Sequence, residues 1–218
     1  MTLFDFVTYS IWISVGIGLL FFSRIKTNSI KLLICFQVIG ILSDIFLIYI
    51  LPKEKGNFIK TFYCILKPFE YTVYAIVLNS NIAKKGLKYY YLLASITVIF
   101  IFSIFTLLFR INTKSAANNI ILLEGVLVII IVLLYFKDIL KSKEIIFLSK
   151  TPQFIIAVGI LLFFTGNIIA TGFYHQLKIQ SPDLAKSLYK LMNHSLGIFQ
   201  SIMFGYAYFV DSKTLKNE

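Results

Sequence analysis

The chain has 218 residues, of which 58% are hydrophobic and 14% are charged, and its mean hydropathy is +0.84. A soluble domain needs a far more polar surface, so this composition excludes one and predicts a polytopic membrane protein. The net charge of +11 does not indicate nucleic acid. Its basic residues lie mainly at the ends of apolar runs, where they face lipid headgroups. Cys35 and Cys64 lie at different depths in apolar runs and predict neither a disulfide nor a metal site.

Seven apolar segments are each long enough to cross a hydrocarbon core of roughly 30 Å as a helix. They predict an all-α protein that forms one transmembrane domain over residues 1–218. The spans are expected at about 3–23, 30–51, 58–78, 89–109, 119–136, 153–174 and 188–210. The first segment lacks a preceding basic region and a small-residue cleavage site, so we expect a retained helix rather than a signal peptide.

The basic residues favour one orientation of these helices. Twelve of the 21 fall in the odd-numbered loops and the C-terminal tail, eight fall in the even-numbered loops, and Lys67 lies inside a span. By the positive-inside rule, this bias predicts a multi-pass protein of the cell (inner) membrane with its N-terminus outside and its C-terminus in the cytoplasm. The tail after Val210 is only DSKTLKNE, so we expect any signal to pass to a separate protein.

The third segment carries Lys67 and Glu70 inside an otherwise apolar helix, on one face with the nearby tyrosines, which are Tyr63, Tyr71 and Tyr74. Ionisable groups at membrane depth are expensive unless they face a bundle interior or a wet cavity, so they indicate a functional site. A structural Lys–Glu pair that joins helices would produce the same pattern.

Pro68 lies between these two charged residues. It removes its own backbone hydrogen bond and frees the carbonyl of Cys64. The sequence therefore predicts a kink, and a candidate hinge, beside the charges.

Polar side chains from five predicted helices fall in one layer between the outer surface and the midplane, about 8 to 18 Å down at 1.5 Å per residue. Buried polar groups at one depth must satisfy one another, so the layer predicts a pocket for a small polar ligand. Its members are Asp44, Lys67, Glu70, Glu124, Asn167, Asn193 and His194. In the last predicted helix, polar and small residues recur at helical spacing, and this pattern is equally typical of helix packing alone. These residues are Lys190, Asn193, His194, Gly197, Gln200, Ser201 and Gly205.

Weak internal sequence similarity relates the predicted helices 1–3 to helices 5–7. Three pairs of segments match: KTFYCILKP (60–68) with KSLYKLMNH (186–194), LSDI (42–45) with TGNI (165–168), and LFDFV (3–7) with LLEGV (122–126). These matches indicate a 3+1+3 arrangement of parallel repeats, with helix 4 as the linker. Chance similarity between apolar helices would give matches of the same kind.

Catalytic signatures are weak by comparison. No G-x-S-x-G, H-E-x-x-H or Walker-type motif occurs in the sequence, and His175 and His194 are too few for a zinc hydrolase. Asp44, Glu70, Glu124 and His194 could assemble a mixed metal or acid–base site, but their spacing does not demand one. We therefore name no catalytic residue, no metal ligand and no cofactor.

The third, fifth and sixth helices resemble an uncharacterised family of small seven-span membrane proteins that is abundant in Bacteroidota. The likeness lies in KPFEYTVYAIVL, NNIILLEGVLVIIIVLLYFKDIL and SKTPQFIIAVGILLFFTGN. That family tends to carry a glutamate in helix 3, another in helix 5 and a phenylalanine-serine-glycine-asparagine step in helix 6. Glu70, Glu124 and FTGN at 164–167 match these features, with Thr165 in place of the serine. No biochemical activity comes with the resemblance.

In size and 3+1+3 plan the chain also resembles the PQ-loop sugar and amino-acid transporters and their receptor relatives. This likeness is architectural only, because those proteins carry a proline in the first helix of each repeat, and helices 1 and 5 here contain none.

Three functions remain as hypotheses. The first is a receptor-like sensor that binds a ligand in the outer half of the bundle and signals to a separate partner. The second is a small solute transporter that uses Pro68 as a hinge and Glu70 or Asp44 as a coupled carboxylate. The third is an intramembrane enzyme that modifies lipid. The inner halves of helices 3 and 7 carry Tyr74 and Gln200 but no charge, which disfavours a conducting path and favours the sensor.

Overall fold

The computed structural model describes residues 3–49, 56–79, 87–108, 113–141 and 147–213. Nearly all of these residues are helical, and this described part of the chain holds seven α-helices, one 3-10 turn and no strand. The helices are α1 (Leu3–Leu20), α2 (Asn28–Tyr49), α3 (Gly56–Asn79), α4 (Leu87–Leu108), α5 (Thr113–Lys141), α6 (Pro152–Gln180) and α7 (Pro182–Lys213). The prediction of an all-helical protein is confirmed.

Each predicted span corresponds to one helix, but the last helices are longer than the spans. α6 has 29 residues and α7 has 32, which is about 44 and 48 Å at 1.5 Å per residue. The predicted loop between them is helical on both sides of Ser181, so His175 lies in α6. Hydropathy marks the part of a helix that lies in lipid, and polar turns beyond that part give no such signal. The predicted span ends at 51 and 109 lie outside the described residues.

Prolines set the start of the last two helices. Pro152 and Pro182 each occupy the first turn, where the missing N–H has no helical partner to lose. At the junction, the Ser181 N–H donates to the Leu177 carbonyl at 2.8 Å, and the Ala185 N–H donates to the Ser181 carbonyl at 3.0 Å. One residue therefore ends α6 and begins α7.

Four helical segments are long and apolar enough to cross a membrane, and they are Asn28–Phe46, Tyr89–Leu108, Asn119–Lys141 and Pro152–Gln180. Phe6–Leu20 in α1 is apolar but shorter. Charged and polar residues lower the hydropathy of the other two helices. α3 carries Lys67 and Glu70, and α7 carries Lys186 and Lys190. The helices support a membrane protein.

The chain divides into two compact units. The first contains residues 1–31 and 139–218, and the second contains residues 32–138. α1, α6 and α7 thus belong to the first unit. All of α3 and α4, with most of α2 and α5, belong to the second.

Glycines bring α6 and α7 into close contact in the first unit. A Cβ atom at Gly159 would lie 3.0 Å from Met203 Cβ, and one at Gly166 would lie 2.6 Å from Leu196 Cδ1. From Gly159 to Gly166 the residue number rises by seven, while the contacted residue falls by seven, from Met203 to Leu196. The two helices are therefore antiparallel. The glycine of the FTGN segment is therefore a packing residue.

α1 packs on α7 in the same direction. A Cβ atom at Gly197 would lie 3.5 Å from Val7 Cγ1, and one at Gly205 would lie 3.6 Å from Ser14 Cα. Residue numbers rise together along this contact, so α1 and α7 are parallel. Both neighbours of α7 in this unit thus approach it at glycines, as small residues permit close helix packing in membranes.

A buried carboxylate ties the end of α7 to the start of α2. Asp211 accepts hydrogen bonds from the Thr27 N–H at 3.3 Å and from Thr27 Oγ1 at 2.9 Å. Thr27 directly precedes α2, so the carboxylate also lies at the positive end of that helix dipole. The sequence predicts a span that ends at 210 and a tail beyond it, but α7 continues to Lys213, with Asp211 bonded inside the first unit.

We predict that Gly166→Val lowers the melting temperature of the purified protein. Its new side chain would overlap Leu196, and overpacking of this kind costs about 1–3 kcal/mol. Gly172→Val is the matched control, because a Cβ at Gly172 would lie within 4 Å of no described atom beyond its chain neighbours and the nearby backbone of its own helix. Leu196→Ala should make room, so its combination with Gly166→Val should be more stable than the two separate losses imply. Equal melting temperatures for the two valine variants would contradict the close contact.

Candidate functional site

Lys67 bridges two carboxylates inside the second unit. Its Nζ lies 2.5 Å from Oε2 of Glu70, one turn away on α3, and 3.2 Å from Oε2 of Glu124 on α5. The Lys67 and Glu70 side chains are 19% and 21% exposed, whereas Glu124 is fully buried. We call these three residues the charge cluster. With all three groups ionised, it carries one cation and two anions.

The two carboxylates differ in how well they are satisfied. Glu70 accepts a second hydrogen bond, from the Tyr74 hydroxyl to Oε1 at 3.0 Å. Glu124 Oε1 has no hydrogen-bond partner among the residues that the structure describes, and Glu124 Oε2 contacts the Lys67 ammonium group. Buried carboxylate oxygens are normally paired, because desolvation without a hydrogen bond is costly. The charge cluster therefore holds an unsatisfied acceptor beside a surplus negative charge.

A side chain of α4 supplies the hydrogen bond that the α3 backbone loses at Pro68. Pro68 has no N–H to donate to the Cys64 carbonyl, and Ser103 Oγ donates to that carbonyl at 2.7 Å. Ser103 is only 4% exposed. Hydroxyl side chains commonly satisfy the groups that a proline frees in membrane helices. The sequence predicts the free carbonyl but not its donor.

The tyrosines of α3 serve two different neighbours. The Tyr71 hydroxyl donates to Ser95 Oγ on α4 at 2.6 Å, whereas the Tyr74 hydroxyl binds Glu70. The sequence predicts a single polar stripe on α3. In the structure, Tyr71 in that stripe hydrogen-bonds to α4, whereas Tyr74 belongs with the charge cluster that α3 forms with α5. The side chain of Tyr63 lies outside the described residues.

Sequence reasoning missed the buried hydroxyls of α4. Ser95 and Ser103 are both nearly inaccessible, and they bond to the side chain of Tyr71 and to the backbone of Cys64. Their recurrence on one side of an apolar helix is a signal that could have identified the face of α4 that meets α3.

The seven predicted pocket residues are divided between the two units. The second unit contains Asp44, Lys67, Glu70 and Glu124, and the first contains Asn167, Asn193 and His194. Three members of the second unit form the charge cluster, while Asp44 is exposed on α2. Asn193 Oδ1 is buried without a hydrogen-bond partner among the described residues. The meeting of all seven in one pocket stays a prediction, as does the hinge at Pro68.

Comparisons of the chain with protein-family models, curated proteins and solved structures find no match. The resemblance to the seven-span family therefore stays a prediction. The function of the protein has to be inferred from the charge cluster and its surroundings.

We predict that Ser103→Ala destabilises the protein by about 1–3 kcal/mol, because it leaves the Cys64 carbonyl buried without a donor. In a Pro68→Ala background the same substitution should cost much less, since alanine supplies the missing backbone N–H. Thermal unfolding of the two single variants and the double variant measures this coupling. Thr97→Ala is the control, because that hydroxyl is exposed on α4. Strictly additive losses would show that Ser103 does not act through the Pro68 gap.

We also predict that Lys67→Met is the most destabilising single change in the charge cluster, on the order of 3–5 kcal/mol, because it leaves two carboxylates without their cation. Glu70→Gln and Glu124→Gln should each accumulate as folded protein, since the remaining carboxylate still pairs with Lys67. Yield and melting temperature in one detergent measure the difference. A Glu70→Gln variant that fails to fold while Lys67→Met is stable would contradict the shared lysine.

Proposed function

We propose that this chain is a receptor-like membrane sensor that binds a small polar ligand at the charge cluster and signals to a separate protein. The observation that supports this most strongly is Glu124, fully buried and with one carboxylate oxygen unpaired among the described residues. Helix packing gains nothing from such an oxygen, because its desolvation is not compensated. A ligand that donates hydrogen bonds would compensate it.

The charges of the cluster indicate the kind of ligand. Two carboxylates share one ammonium group, so a ligand with a protonated amine would balance the surplus negative charge and supply N–H donors to Glu124. Charge-assisted hydrogen bonds of this type are among the stronger polar contacts in proteins. Lys67 and Glu70 are partly exposed, so a ligand would approach the cluster from their side. We therefore expect a small amine or amino acid rather than an anion.

The backbone of α3 offers a means of passing the signal on. Pro68 lies between the two charged residues of α3 and removes the helical hydrogen bond to the Cys64 carbonyl, which Ser103 of α4 binds instead. A ligand that moves Lys67 or Glu70 would therefore act next to a turn of α3 that lacks one backbone bond. We propose Pro68 as the hinge that converts binding into movement.

We further propose seven spans, with the N-terminus outside and the C-terminus in the cytoplasm of an inner membrane. α3 and α7 have 24 and 32 residues, enough for a hydrocarbon core of about 30 Å. Their polar residues would face the protein interior rather than lipid. The bias of basic residues supports this orientation, although several of those residues lie outside the described part of the chain. The charge cluster would then lie in the outer half of the membrane.

A small solute transporter of 3+1+3 plan is the second candidate. It is favoured by the interruption of α3 at Pro68 beside the charge cluster, since transporters often bind their substrates at broken helices near the midplane. Binding alone does not separate the two candidates, but uptake does.

We predict that at least one compound in a panel of small amines and amino acids raises the melting temperature of the purified protein. Stabilisation reaches about 2.7 kcal/mol at a ligand concentration of 100 Kd. The shift should vanish in Glu124→Gln and persist in Asp183→Asn, a matched carboxylate change at an exposed position of α7. A panel without any stabilising compound, or a shift that survives in Glu124→Gln, would count against the site.

The same compound, tested with proteoliposomes, separates sensor from transporter. Saturable binding without accumulation inside the vesicles supports the sensor. Saturable uptake that is lost in Glu124→Gln would assign the cluster to a transporter instead.

A further inference from the structure

A groove with a volume of about 360 Å³ lies between α1 and α7 in the first unit. Its rim is formed by large side chains that are 49% to 63% exposed, namely Phe6, Tyr9, Ile13, Ile202 and Tyr206. Its floor contains small residues, Ser14, Ser201 and Gly205, which are all buried. The volume is within the range of small-molecule pockets, about 300 to 1,000 Å³.

The floor carries a hydroxyl group that is not hydrogen-bonded to any described residue. Ser14 is 2% exposed, and its Oγ has no hydrogen-bond partner among the described residues. The neighbouring serines are bonded in the usual way to their own helices, since Ser10 Oγ donates to the Val7 carbonyl and Ser201 Oγ to the Gly197 carbonyl, both at 2.8 Å. Helical serines normally make such a bond, so Ser14 stands apart.

On the α7 side this hydroxyl lies beside Gly205, where a Cβ atom would be 3.7 Å from Ser14 Oγ, an ordinary contact distance. The Oγ atom is itself covered by neighbouring atoms, so a bound oxygen would reach it by displacing a side chain of the groove. The residues that line the groove are uncharged. A molecule with one neutral oxygen and an otherwise apolar body would match both the rim and the floor.

We propose that the groove between α1 and α7 binds a neutral lipophilic amphiphile, an apolar chain or ring system with a single hydroxyl or carbonyl oxygen that hydrogen-bonds to Ser14. Such a molecule would leave bulk lipid because its oxygen pairs with the Ser14 hydroxyl, which has no partner among the described residues. This site uses no residue of the charge cluster and does not rest on the function proposed above.

A second helix, from another copy of this chain, fits the groove less well. Helices approach closely in membranes where their outward surfaces carry small residues. Here the rim residues are large, and the small residues of the floor already form the contact between α1 and α7. Eleven residues line the groove, whereas a stable protein interface takes about 20–30 residues a side.

Photolabelling of the purified full chain tests this proposal, with hexadecanol that carries a diazirine as the probe. We expect saturable labelling of peptides from α1 and α7. Unlabelled hexadecanol should compete, and hexadecane, which lacks the oxygen, should compete at least threefold less well. Ser14→Ala should weaken binding about threefold to tenfold, which is the loss expected for one hydrogen bond.

Two variants that obstruct the groove complete the experiment. Ser10→Phe fills it from α1, and Ile202→Trp, at a position that is 60% exposed, narrows the rim without disturbing buried packing. Each should abolish saturable labelling, whereas Ser195→Phe, on an exposed position of α7 outside the groove, should not. Labelling spread over all apolar helices without competition would overturn the proposal, as would equal competition by hexadecane. A dimer lost in Ile202→Trp, without saturable labelling, would assign the groove to a second copy.

Discussion

Polar atoms inside apolar helices must find their partners within the protein, and this constraint determines how α3 packs. Pro68 leaves the Cys64 carbonyl without a helical donor, and Ser103 of α4 provides one. Lys67 cannot remain alone in an apolar environment, and it lies between Glu70 and Glu124. These contacts fix both the rotation of α3 and its neighbours. In this cluster Glu124 Oε1 departs from the rule, because it has no hydrogen-bond partner among the described residues, and it therefore carries the functional proposal.

The sequence predicts each helix of this fold and part of the candidate site. Runs of about 20 apolar residues identify all seven helices, and the spacing of Lys67 and Glu70 places them on one face of α3. The same spacing cannot identify Ser103 or Glu124 as partners. Periodicity gives the direction of a side chain around its own helix, but it does not say which other helix lies in that direction.

The predicted polar layer illustrates a second limit. It rests on depth, because each residue lies a known number of turns from the end of its span. Depth does not give lateral position, and the structure assigns Asn167, Asn193 and His194 to a different compact unit from the charge cluster. Asp211 shows a different limit. It follows an apolar run and resembles a solvated tail, yet it is bonded to Thr27.

The glycine contacts of α6 have a mechanical consequence. Gly159 and Gly166 receive Met203 and Leu196 at separations so short that a Cβ atom would force the neighbouring side chain to shift, and a slide of about 1.5 Å, one residue, would bring larger residues into those positions. Sliding of α6 along α7 is therefore opposed sterically, so a displacement of the junction at Ser181 would move the two helices together. At the far end of α7, Asp211 is bonded to Thr27, so the same movement would act on the residue that precedes the first turn of α2.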